Sequence, residues 1–98
     1  MKLTSKQRAY LKSLSSTMDP VLNIGKASLT PEIITAIEEA FHNRELIKIS
    51  VLKNCYDDPK QMAQMIAERS NSTVVHVIGK KIVLYKPFKK DPVIVLPK

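Results

Sequence analysis

Three helix starts are written into this chain, and the apolar runs between them leave few ways to fold it. Thr4-Ser5-Lys6-Gln7 has the form of a capping box, with Thr4 as N-cap and Gln7 at N3. Thr30-Pro31 places a capping hydroxyl ahead of a proline suited to the first helical position, and Asp58-Pro59-Lys60-Gln61 repeats that logic. After Thr4, Leu11, Leu14 and Met18 recur at helical spacing until Asp19-Pro20 stops the helix. After Thr30, Ile33, Ile34, Ile37, Ala40 and Phe41 form an amphipathic stripe with Glu38 and Glu39 outside it. After Asp58, Met62, Ala63, Ile66 and Ala67 form a third stripe, widened by Met65, and Asn71 suits a left-handed helix end.

Between the helices lie β-rich runs. Val21 to Ile24 is short. Leu46 to Leu52 alternates, with Ile47, Ile49 and Val51 on one face and Lys48 and Ser50 on the other. Thr73 to Ile78 and Lys81 to Tyr85 flank Gly79-Lys80, a tight hairpin turn with glycine at its first central place. The order α-β-α-β-α-β-β predicts an α/β (α+β) domain with a mixed four-stranded sheet and right-handed crossovers. With few helices to cover two faces, the expected architecture is a two-layer sandwich with one sheet face open. Residues 1–87 form the domain; 88–98 are a basic and apolar tail whose Val93 to Leu96 either docks on the body or adds an edge strand.

Nothing in the sequence assembles an active site. One cysteine, Cys55, and two distant histidines, His42 and His76, give no metal-binding spacing. Gly25-Lys26-Ala27-Ser28 echoes a phosphate-binding loop but lacks the upstream glycine of a Walker A. No catalytic residue, cofactor, metal or small-molecule substrate is expected. The chain has neither a long apolar run nor a leader-like start, so the expected setting is cytoplasmic, away from any membrane.

Charge is the informative quantity. Sixteen Lys+Arg against nine Asp+Glu give a net +7. The acidic side chains gather in residues 31–47, where Glu32, Glu38, Glu39 and Glu45 face Arg44 alone, and basic residues dominate on either side. Such a chain meets a polyanion or carries a solvated basic surface. Lys6, Arg8 and Lys12, off the first apolar stripe, fit either reading. The loop Gly25-Lys26-Ala27-Ser28 sits just before a helix start, where free N–H groups and the dipole favour a phosphate. With five aromatic residues (Tyr10, Phe41, Tyr56, Tyr85, Phe88), contacts to phosphate rather than base stacking are expected.

Four segments in order, LTSKQRAYLKSL (3–14), DPVLNIGKASLTPEII (19–34), RELIKISVLKN (44–54) and VVHVIGKKIVLYKP (74–87), resemble the bacterial YhbY family, the single-domain form of the CRM (chloroplast RNA splicing and ribosome maturation) domain. The resemblance implies a fold similar to the C-terminal domain of translation initiation factor three. It also implies binding to ribosomal RNA in precursors of the large subunit and a part in ribosome assembly. The family loop is G-x-x-G; Gly25 matches its first glycine, Lys26 and Ala27 fill the middle, and Ser28 stands where the second glycine is expected. The expected RNA-binding residues are Gly25, Lys26, Ala27 and Ser28, extended by Arg44, Lys48 and Lys53, in a monomeric, non-catalytic protein. The alternative from another class is a protein-interaction module that docks on a ribosomal or RNA-processing protein through the open sheet face and the tail.

Overall fold

The computed structural model describes residues 1–98. Its elements are α1 (Ser5–Ser15), β1 (Leu22–Ile24), α2 (Pro31–Asn43), β2 (Leu46–Val51), α3 (Pro59–Ser70), β3 (Thr73–Ile78) and β4 (Lys81–Tyr85). All three caps form as the sequence dictates. Thr4 and Gln7 exchange both bonds of the capping box at 3.1 Å. Thr30 Oγ1 accepts from the Ile33 N–H, and Asp58 Oδ1 from the Lys60 N–H, each at 3.2 Å. Asn71 ends α3 in the left-handed region at φ 55°. Gly79 has φ +56° and its turn partner Lys80 does not, so the glycine alone supplies the left-handed step of the hairpin. No helix is long and apolar enough to cross a membrane.

The sheet order is β1-β2-β4-β3. β1 runs parallel to β2, with Leu22 opposite Ile49 and Ile24 opposite Val51. β4 is antiparallel to both β2 and β3, and a bulge between Val74 and His76 shifts the β3 register. α2 and α3 cover one face. Ile37, Phe41, Met62 and Ile66 pack there on Ile24, Ile47, Ile49, Ile82 and Leu84 to make the larger core. Met65 falls outside this stripe and is 43% exposed.

The second face departs from the expected open sheet. A smaller core of Leu3, Leu11, Leu46, Val75, Val83 and Tyr85 lies on it, with Met18, Ile94 and Leu96 against its rim. α1 crosses this face, and the tail packs beside it, so a partial third layer covers the half nearest Leu46. Glu45 fastens the tail. Its carboxylate is 3% exposed and accepts from the backbone N–H groups of Phe88, Val93 and Ile94 at 2.8, 2.8 and 2.6 Å. Gln7 donates to the Pro97 carbonyl at 3.1 Å. The tail is thus docked rather than added as a strand. Burial, with Glu45 next, pushes the Tyr85 phenol above its ordinary value. Toward the other end the face opens: Lys48 and His76 are half-buried at the margin of the smaller core and Lys81 is exposed.

Candidate nucleic-acid interface

Topology gathers the candidate residues at one edge of the sheet. β1 and β2 are parallel, so their C-terminal ends meet: the Leu52 N–H donates to the Ile24 carbonyl at 2.8 Å. The β3–β4 turn reaches the same edge, where the Val51 N–H donates to the Lys80 carbonyl at 2.7 Å. Each parallel strand hands the chain to a helix, so α2 and α3 both start here and point their positive ends at this edge. Lys26, Lys53, Lys80 and Lys81 are all exposed along it.

The loop after β1 is a turn closed by the Ser28 N–H donating to the Gly25 carbonyl at 2.9 Å. Gly25 does not have positive φ; Ser28 does, at 58°. The left-handed position of the loop is therefore held by a serine, a conformation that costs a residue with a Cβ about 1–2 kcal/mol. The Ser28 hydroxyl donates to the Asp57 carboxylate across from it, which ties the loop to the segment ahead of α3. That bond commits the hydroxyl proton, so the oxygen left free can only accept. At Gly25 a Cβ would lie 3.5 Å from Asn54 Oδ1, ordinary contact, so there the glycine keeps the loop surface low rather than meeting a backbone demand.

The expected site residues divide into three places. Gly25, Lys26, Ala27 and Ser28 form the loop, and Lys53 stands beside it after β2. Lys48 is mid-strand on the second face, half-buried, with Val83 opposite it on β4. Arg44 is the C-cap residue of α2 at the start of β2, about 25 Å from the loop at the usual rise per strand residue. Arg44 lies beside Asp19, Pro20 and Val21 at the opposite sheet edge and is not brought to the loop. Lys80 and Lys81 join the edge through the hairpin, and their signal in the sequence is the pair of lysines that directly follows the turn glycine. The surface assigned to partner docking is largely used by the chain itself, since Ile94 and Leu96 pack inward and only Val93 and Val95 of the tail's apolar run stay exposed.

Three carboxylates stand at the edge: Asp57 accepts from Ser28, Asp58 caps α3, and Glu32 is exposed in the first turn of α2. No three His, Cys, Asp or Glu side chains come close enough to hold a metal ion. Cys55 is buried beside Met62 in the larger core. What the edge offers is a row of ammonium groups, a small-residue loop and two helix starts, which together suit a phosphodiester backbone.

Comparison with known proteins points the same way. The family model for the CRS1 / YhbY (CRM) domain matches residues 3–86. The Bacillus subtilis (strain 168) protein named "Probable RNA-binding protein YqeI" is 41% identical over 95 residues, covering 97% of this chain and 99% of its own length. A Haemophilus influenzae protein named "RNA-binding protein" is 32% identical over 85 residues, covering 87% of this chain and 86% of its own. The solution structure of the hypothetical protein SAV1595 from Staphylococcus aureus is similar with a TM-score of 0.83 at 43% identity, covering 98% of this chain and all of that one.

Proposed function

The chain belongs to the CRS1 / YhbY (CRM) domain family, and on that premise we propose that it is a non-catalytic RNA-binding protein. Its target is ribosomal RNA within precursors of the large subunit, whose assembly it assists in the cytoplasm, as a monomer. The observation that carries RNA binding is the shared edge, where the Gly25–Ser28 loop, two helix starts and Lys26, Lys53, Lys80 and Lys81 converge, four cations against the three carboxylates Glu32, Asp57 and Asp58. The relatives' names supply the nucleic acid as RNA. The ribosomal target rests on the likeness to the bacterial single-domain branch of the family.

In this reading Lys26 is a point charge on a phosphate, and the N–H groups of Ala27 and the start of α2 face the same strand. Gly25 lets that strand approach closely. Lys53 continues the row across the sheet edge. Because the contacts are to phosphates, affinity falls steeply with salt. The test is co-sedimentation with large-subunit precursors from cell lysate. The protein is expected to leave those particles on complete RNA digestion and on raising salt. Co-sedimentation that survives digestion and ignores salt would contradict the reading and favour docking on a protein.

A further inference from the structure

The sheet carries a second basic surface that shares only Lys81 with the loop edge. On β2, β4 and β3, Lys48, Val83 and His76 stand opposite one another in a row across the sheet. Neighbouring strands are about 4.8 Å apart, so the backbones of Lys48 and His76, one strand to either side of Val83, lie about 10 Å from each other. One pair further along, Ser50 lies opposite Lys81, whose Nζ donates to the Ser50 hydroxyl at 2.9 Å, and Ile78 lies opposite Lys81 on the other side. This holds the Lys81 stem along the open face while two of its three donors stay free. From above, α1 brings Arg8 and Lys12. Arg8 is fixed by donating to the carbonyls of Val74 and Val75 at the β3 bulge, and Lys12 is one helical turn on.

None of α1, β2, β3 or β4 contains an acidic residue. Glu45, the carboxylate next to β2, is buried at the far end and taken up by the tail. Positive groups so close together repel unless an anion joins them. We infer that the open half of the second sheet face, built from Lys12, Lys48, His76 and Lys81, is a second phosphate-binding surface that RNA backbone reaches after crossing the Gly25–Ser28 edge. The inference rests on the proposed RNA binding and extends it from one edge to a path, with Lys81 at the bend.

His76 gives the path a signature. Burial, then Lys12, Lys48 and Arg8, hold its imidazole below its ordinary value, so in the free protein it is mostly neutral at pH 7. A phosphate seated among these groups screens the cations and favours the imidazolium, so binding takes up a proton. Affinity therefore rises as pH falls through the pKa of the bound state and levels off below that of the free state. One added phosphate contact on single-stranded RNA is worth about fivefold in affinity at about 0.1 M salt.

The experiment is fluorescence-anisotropy titration of a labelled oligouridylate at several salt concentrations, and at pH values between about 5 and 8. Wild type, Lys12→Gln, Lys48→Gln, Lys81→Gln, His76→Asn and, as control, His42→Asn are compared. His42 lies at the far end of α2. Each lysine change should lower affinity about fivefold at about 0.1 M salt and flatten the salt slope by about 0.7. His76→Asn should abolish the affinity gain toward low pH, and His42→Asn should preserve it. Wild-type binding with slopes and pH profile untouched by the Lys12, Lys48 and His76 changes overturns this inference alone, whereas Lys81 belongs to both surfaces. A wild-type protein with no salt-dependent RNA binding overturns the proposed function as well.

Discussion

Ser28 is where sequence and geometry are most at odds, and its substitution separates two effects that wild type combines. The residue sits at φ 58°, and its hydroxyl is bound by Asp57. Glycine there relieves about 1–2 kcal/mol of backbone strain. It returns about 0.4–1 kcal/mol through the greater freedom of the unfolded chain. Alanine keeps the strain. Both changes lose the hydroxyl–carboxylate bond, which is solvent-exposed and worth about 0.5 kcal/mol. Ser28→Ala should therefore be about 0.5 kcal/mol less stable than wild type, and Ser28→Gly should exceed Ser28→Ala by about 1 kcal/mol. Urea denaturation reads this directly: at a slope near 2 kcal/mol/M the two midpoints differ by about 0.5 M. An alanine variant as stable as the glycine variant would refute the left-handed assignment. RNA titration adds a second reading. Ser28→Gly lowers the loop surface and should bind modestly tighter. Clear weakening would mean that the hydroxyl contacts RNA itself, against its engagement with Asp57.

Three further outcomes follow from the second face. Glu45→Ala leaves three tail N–H groups without their acceptor and should cost about 3 kcal/mol in chemical denaturation, with the tail becoming protease-sensitive. Leu11→Ala should cost about 3 kcal/mol, because Leu11 is fully buried and anchors α1 to the sheet; a cost below about 1 kcal/mol would mean that α1 does not seal that face. Tyr85 should ionise above the ordinary tyrosine value of about 10 in an ultraviolet titration, with Glu45→Gln moving it part of the way back.

The fold was legible where the chain signals locally. The three caps, the left-handed Asn71 and the glycine of the hairpin are contained within a few residues each, and the alternation of Ile47, Ile49 and Val51 fixed which face of β2 meets α2 and α3. The second face was not, because alternation assigns a face but not what happens along it. Leu46 and Ser50 share that face with Lys48; Leu46 lies under the smaller core, Lys48 beside the open half. Which half α1 covers depends on Leu3 and Leu11 finding Val75 and Val83, contacts more than 60 residues apart in the chain. Spacing alone puts Met65 in its helix's stripe, but the buried stripe is narrower and leaves it exposed.

The candidate site divides the same way. Gly25 to Ser28 and Lys53 were within reach of the sequence, as neighbours of helix starts and strand ends. Arg44 was not separable from them without the strand direction, because only the parallel pairing of β1 and β2 puts it at the wrong end. Lys81 joins the site because β4 returns beside β2. The bond between Ser28 and Asp57 spans 29 positions and has no local signature.

The central claim is that the edge built on Gly25–Ser28 holds RNA by its phosphates. It is tested most directly by titrating wild type and Lys26→Ala with single-stranded RNA across a range of salt concentrations. Loss of the Lys26 contact should flatten the slope of log affinity against log salt by about 0.7 and weaken binding about fivefold at about 0.1 M salt. An unchanged affinity together with an unchanged slope would show that the loop does not touch the RNA backbone.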